Sequence, residues 1–241
     1  MLRVHSIETF GTHEGPGIRL VIFLQGCNFR CVYCHNPDTQ PMAGGREMQT
    51  DDILKLLEKE KLYFKDKGGL TISGGEPLIQ RQRLIELFTQ VKKAGFHITL
   101  DTNGSILDDY TKKLMKVTDL VLLDMKHIDP VWHQKVTKAS NVAVLQFAKY
   151  LEEIQKPIWL RYVLVPGYTD KEEFLHKWGQ HFKSFKNIER VEILPYHMFG
   201  EFKYEELGWD YPLKGVKPPS AEEVREAEDI FKRYFQEVYI R

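Results

Sequence analysis

The sequence predicts an α/β fold, a partial (β/α)6 TIM-like barrel with parallel strands and an open side. Three observations carry that expectation. Short apolar runs alternate with amphipathic, helix-period stretches six times along the 241 residues, the order that builds a parallel sheet. Most runs are continuously apolar, as strands covered on both faces require. Each run ends in a polar or glycine-rich loop, and in parallel α/β folds those loops share the rim where ligands bind. Six units fall short of the eight that close a barrel, so a side gap is expected. No linker, low-complexity tract or repeat interrupts the chain, and residues 1–241 are expected to form one domain with a C-terminal extension.

The strands expected in order are Arg19–Leu24 (RLVIFL), Leu70–Ser73 (LTIS), His97–Asp101 (HITLD), Leu120–Asp124 (LVLLD), Ile158–Val165 (IWLRYVLV) and Val191–Leu194 (VEIL). Helical patterns run over Asp51–Phe64, Arg83–Ala94, Asp109–Val117, Val142–Ile154, Asp170–Phe185 and Ala221–Phe235. Thr169 with Glu172, and Ser220 with Glu223, read as capping boxes, and Gly95 stands where a helix ends in a left-handed residue. The loops after the six strands are QGC with the cysteines, SGGEP (Ser73–Pro77), DTNG (Asp101–Gly104), DMK (Asp124–Lys126), VPGYTD (Val165–Asp170) and PYH (Pro195–His197).

Composition excludes some functions. Lys plus Arg number 34 and Asp plus Glu 34, so no overall field draws in nucleic acid or an anionic membrane. MLRVHSIETFG lacks the features of a signal peptide, and no apolar run is long enough to cross a bilayer. A cytoplasmic protein with a protein or small-molecule partner is expected. In a reducing compartment, an odd and tightly spaced set of cysteines suits a metal or redox site better than disulfides.

All three cysteines, Cys27, Cys31 and Cys34, fall within QGCNFRCVYCHN. Several readings compete for them. C-x-x-C-H (Cys31 to His35) is also a c-type haem attachment pattern, but it leaves Cys27 unexplained. Zinc held by three Cys and His35 meets the ligand count, yet adjacent Cys34 and His35 fit one tetrahedron poorly. Inert core cysteines rarely fall at this spacing in a loop. An iron-sulfur cluster is favoured, and with three thiolates one iron keeps an open position.

C-x3-C-x2-C with Tyr33 before the last cysteine, followed one βα unit later by GGEP, resembles the radical S-adenosylmethionine (SAM) superfamily. Within it, EGPGIRLVIFLQGCNFRCVYCHNPDT, SGGEP, DTNG, LDMK, VPGYTD, LPYH and GVKPP are similar to the glycyl radical enzyme activating family over nearly the whole chain. Glu14 replaces the family's usual Asp at the start of DGPGIR.

The resemblance implies a 4Fe-4S cluster on Cys27, Cys31 and Cys34, the catalytic centre, with SAM chelating the fourth iron. It implies reductive cleavage of SAM to methionine and a 5′-deoxyadenosyl radical, which takes a hydrogen atom from a glycine Cα of the partner. Residues 35–72 lack the cysteine-rich insertion of many other activases, which favours pyruvate formate-lyase as partner. Reduced flavodoxin or ferredoxin is the implied electron donor. Contacts to SAM are implied for Tyr33, His35, Asn36, Gly74, Gly75, Glu76, Asp101, Asn103, Asp124, Met125, Lys126 and His197.

Blander readings stand beside these. Gly-Gly-Glu-Pro also serves a plain strand-to-helix turn, and a lone His is more often structural. Asp101 and Asp124 end neighbouring predicted strands, where two carboxylates need a cation; Lys126 supplies one, and a monovalent ion among Asp101, Thr102 and Asp124 is a second expectation. Arg161 inside a strand calls for a carboxylate partner that the sequence does not identify. Phe199, Phe202, Tyr204, Trp209 and Tyr211 lie in an irregular stretch, either as surface packing or as the flank of the opening for the partner's glycine loop.

Overall fold

The structure is a computed structural model describing residues 1–241. Nine strands and eight α-helices occur in the order β1 (Leu2–Gly11), β2 (Arg19–Leu24), β3 (Arg46–Met48), α1 (Thr50–Phe64), β4 (Gly69–Gly74), α2 (Arg81–Lys93), β5 (His97–Thr102), α3 (Asp109–Met115), β6 (Leu120–Asp124), α4 (Pro130–Thr137), α5 (Val142–Glu153), β7 (Ile158–Leu164), α6 (Glu172–Phe182), β8 (Ile188–Pro195), α7 (Glu201–Glu206), α8 (Ala221–Lys232) and β9 (Val238–Ile240). No helix is long and apolar enough to cross a membrane. The chain divides into two compact units, Met1–Asn28 with Thr39–Leu122, and Phe29–Asp38 with Leu123–Arg241.

In the first unit the strands are ordered β3-β1-β2-β4-β5-β6. β2, β4 and β5 are parallel, with Leu20 beside Leu70 and Leu70 beside Ile98. Leu20, Ile22, Leu70, Ile72, Ile98 and Leu100 are fully buried, which explains the unbroken apolar runs. β1 pairs antiparallel with β2 and β3. It buries little beyond Leu2 and Val4, so its sequence lacks the signature of the central strands.

Arg19 opens β2 and is fully buried. Its guanidinium donates to the hydroxyls of Thr71 and Thr99 (2.9 Å each) and to the carbonyls of Pro16 and Lys67 (3.3 Å each). Desolvation lowers its pKa to about 9. The result is a pin through the N-terminal ends of three parallel strands.

In the second unit the order is β6-β7-β8-β9, with β7, β8 and β9 parallel. The sheet order thus ends on β3 and β9, an open parallel-stranded α/β sheet as the sequence predicts. Trp178 of α6, wholly buried, packs against Tyr162, Phe182, Phe231 and Phe235, so α6 and α8 cover β7.

Ser220 and Glu223 form the expected capping box at α8, and Gly95 has φ +83° after α2. The Thr169–Glu172 box does not form. α6 starts only at Glu172, with Lys171 as its uncapped N-cap. The Thr169 hydroxyl turns back to accept from Val165 N–H and donate to Val163 C=O (2.7 Å each). Satisfying a buried turn outweighs capping a helix whose first turn already holds two acids.

The partner of Arg161 is Glu192 on β8, at 3.0 Å. Glu192 is fully buried and also accepts from Arg241 at 3.1 Å.

Candidate functional site

In the first unit the site residues gather at the C-terminal ends of β2, β4 and β5. Gly74 has φ +108°, open to glycine and strained for other residues. A Cβ on Gly75 would collide with the carbonyl oxygen of Gly26. Main chain binds main chain there: Gly75 N–H donates to Leu24 C=O (2.9 Å) and Glu76 N–H to Gly26 C=O (2.8 Å). The residue before Cys27 is therefore held directly by SGGEP. The half-buried Cys27 donates its own N–H to Gln40 C=O at 3.2 Å.

Glu76 is fully buried. Its carboxylate accepts from Leu78 N–H (2.8 Å), the Thr102 hydroxyl (2.6 Å) and Asn103 N–H (2.7 Å). Burial raises its pKa to about 7 against the pull of those donors. Its side chain serves the architecture by tying the turn after β4 to the loop after β5. Asp101 accepts from the Ser73 hydroxyl at 2.7 Å. Asn103 donates to Asn28 Oδ1 at 3.2 Å, and Asn28 donates to Ser105 at 2.8 Å.

In the second unit the residues around Cys31 and Cys34 are fixed from two sides. Arg30 N–H donates to Thr137 C=O (2.8 Å) and Val32 N–H to Val136 C=O (2.9 Å), so the last carbonyls of α4 hold the loop on both sides of Cys31. Val32 and Tyr33 join a buried cluster with Val136, Val163, Val165, Tyr196 and Tyr204, against which Cys31 and Cys34 pack. α4 is absent from the sequence expectations, although Asp129 and Pro130 spell its start: Asp129 Oδ1 accepts from Val131 and Trp132 N–H, and proline stands at the first helical position.

Tyr33 is buried, and its hydroxyl has no hydrogen-bond partner. Burial, then the charges of Cys31 and Asp124, push its pKa well above the usual phenol value. Lys126 lies 5.7 Å from the Tyr33 ring centre and pairs with Asp124 at 2.7 Å. Met125 is buried in the turn, and its carbonyl accepts from Trp178 Nε1 at 3.3 Å.

His35 and His197 stack at 3.8 Å, and His197 packs on Phe199 at 4.4 Å. Burial and then its histidine neighbour lower the His35 pKa to about 4; burial also lowers that of His197. Lys203 of α7 donates to Asn36 (2.9 Å) and pairs with Asp38 (3.1 Å). Neither Lys203 nor the histidine stack was legible, since each joins residues more than 150 positions apart. Of the aromatics in 199–211, Phe199 and Phe202 are exposed, whereas Tyr204 and Tyr211 are core.

These surroundings fit an iron-sulfur cluster and a polar organic cofactor. The three cysteines are half-buried thiols, which suit iron. The Tyr33 hydroxyl is a buried donor without a partner, and the Lys126 ammonium over the same ring is a second polar donor.

Comparison with known proteins agrees with this chemistry. The family model described as the radical SAM superfamily matches residues 21–178. The pyruvate formate-lyase-activating enzyme of Streptococcus mutans is 49% identical, over 98% of this chain and 93% of its own. Pyruvate formate-lyase 1-activating enzyme of Escherichia coli is 41% identical, over 98% and 97%. Among solved structures, a domain of pyruvate-formate lyase-activating enzyme from Bacteroides vulgatus superposes with TM-score 0.62 at 24% identity, covering 72% of this chain and 99% of its own. Streptococcus suis SuiB gives TM-score 0.71 at 16% identity, covering 98% and 50%; at such identities the likeness is one of fold. With the cysteine loop, the parallel sheet and this match over most of its length, the chain belongs to the radical SAM superfamily.

Proposed function

We propose that this chain activates pyruvate formate-lyase by generating a glycyl radical on it, working in the cytoplasm under anaerobic conditions, with residues 1–241 acting as one functional domain. Its cofactors are those of its superfamily, a 4Fe-4S cluster and SAM. When bound, they supply reductive cleavage of SAM to methionine and a 5′-deoxyadenosyl radical able to abstract hydrogen from a glycine Cα. The observation that supports this reading most is the loop 27–34: three half-buried thiols in a chain 49% identical to an activating enzyme over nearly its full length.

In this reading Cys27, Cys31 and Cys34 would hold the cluster. Lys126 meets the SAM carboxylate, and the carbonyls around Gly74 and Gly75 take its ammonium group. Tyr33, His35, Asn36 and His197 line the adenosyl end. Asp101, Thr102 and Asp124 stand as the candidate ligands of a monovalent cation. The buried aromatic wall around Cys31 and Cys34 keeps water from the radical chemistry.

Anaerobic reconstitution with iron counting tests this, followed by assay of 5′-deoxyadenosine and of the glycyl radical by electron paramagnetic resonance with pyruvate formate-lyase. Four irons per chain and a glycyl doublet are expected, and Cys34→Ala should lose both. A chain that holds zinc, or that cleaves SAM but leaves pyruvate formate-lyase without a radical, would refute it.

A further inference from the structure

The two units each carry an open cleft, and the clefts have opposite charge. That of the first unit, about 390 Å³, is lined by Arg3, Arg81 and Arg83 together with glutamines and Met42, and by no acid. That of the second, about 420 Å³, is lined by Asp170, Glu172, Glu223, Glu226 and Asp229 against a single cation, Arg233.

We propose that the basic cleft is the docking site of a small acidic one-electron carrier protein that reduces the cluster. The proposal rests on the reading above, that Cys27 is a cluster ligand. One electron leaves the carrier's reduced flavin or iron-sulfur centre and enters the cluster; the carrier departs oxidised by one electron, and no atom is transferred.

Position supports the assignment. Gln25 lines the cleft and precedes Cys27 by two residues. Met42, 52% exposed, brings its sulfur to 3.1 Å from where a Cβ on Gly26 would stand. The cleft floor thus touches the main chain leading into Cys27.

Rigidity supports it too. The Gln80 side chain accepts from Arg3 N–H (2.8 Å) and donates to the carbonyls of Arg3 (2.9 Å) and Gln25 (3.1 Å). Arg3 Nη1 donates to Met42 C=O at 2.7 Å. A preformed surface loses little entropy on docking, and an exposed methionine in a cleft that three arginines line suits a transient, electrostatically steered contact.

Two of the three cleft arginines have acid neighbours, and Arg83 carries the unopposed charge. Asp108 holds Arg81, and Glu47 lies opposite Arg3 in the strand register. Arg83 is exposed in the first turn of α2, which contains no acid.

The test is stopped-flow reduction of the reconstituted holoenzyme under anaerobic conditions, with reduced flavodoxin and reduced ferredoxin as probes at low ionic strength. Arg83→Glu should slow reduction by about tenfold, with the gap closing at high salt. Gln82→Glu, exposed on the same cleft, places an acid where the helix dipole favours one. It should leave folding intact and still slow both carriers, whereas a structural role for this surface predicts no slowing. Lys183→Glu, away from the cleft lining, should stay within about twofold. Reduction by photoreduced neutral deazaflavin should be the same in every variant. Rates with both carriers unchanged in Arg83→Glu and Gln82→Glu, or an equal loss with deazaflavin, would overturn the docking site. A cluster that deazaflavin cannot reduce in the unsubstituted chain would instead overturn the reading on which it rests.

Discussion

At the residue scale, the most informative side chains are the buried ions. Glu76 has its pKa raised from 4.5 to about 7 by desolvation. Below pH 4.5 both folded and unfolded chains hold its proton. Between 4.5 and about 7 only the folded chain does, so its contribution to stability falls as pH rises through that window, by at most ~1.4 kcal/mol per pH unit. Glu76→Gln should flatten that slope in urea unfolding curves measured from pH 5 to 7. It should also cost about 1–3 kcal/mol at pH 8, where the ionised side chain accepts from all three donors and an amide NH2 cannot. An identical slope in both proteins would contradict this. Glu192, wholly buried among Arg161, Arg190 and Arg241, gives a second expectation: Glu192→Ala should destabilise by about 3–5 kcal/mol in the same assay, since three guanidiniums lose their carboxylate. The cysteines were legible because their spacing is local. Glu192 was not, because its tie to Arg161 spans 31 positions between separate strands.

At the element scale, strands β2, β4, β5, β6, β7 and β8 were legible because burial on both faces writes itself as a continuous apolar run. β1 escaped because most of it is half-buried or exposed, and β3 and β9 because three residues show no period. α7, six residues long, is too short for a helical pattern. The capping box at α8 was readable, and Ser220→Ala should cost about 1 kcal/mol by thermal unfolding. Gly200, the N-cap of α7, supports the cysteine loop from outside. A Cβ there would lie 2.9 Å from His35 Cα and 3.1 Å from Cys34 C=O. Both are main-chain atoms, so the loop itself must move. Gly200→Ala should lower iron retained after reconstitution and destabilise by about 1–3 kcal/mol; full iron content with unchanged stability would show that the loop yields freely.

At the scale of the whole molecule, a formal charge of zero conceals separation into a basic and an acidic cleft. Composition predicted no nucleic-acid-like field but could not reveal that separation, which depends on which side chains the fold brings together. Unlike patches on a chain without net charge attract between copies at low salt. The second virial coefficient near pH 7 should therefore be low in dilute buffer and rise with added salt; indifference to salt would show that the patches are too small to matter in solution.

The close approach of Gly75 to Gly26 has a bearing on engineering. A different ligand-binding motif grafted into either loop would meet the backbone of the other before it met any cofactor. Redesign of this frame must therefore exchange residues 26 and 75 as a matched couple, and libraries that randomise one loop alone should return mostly misfolded chains.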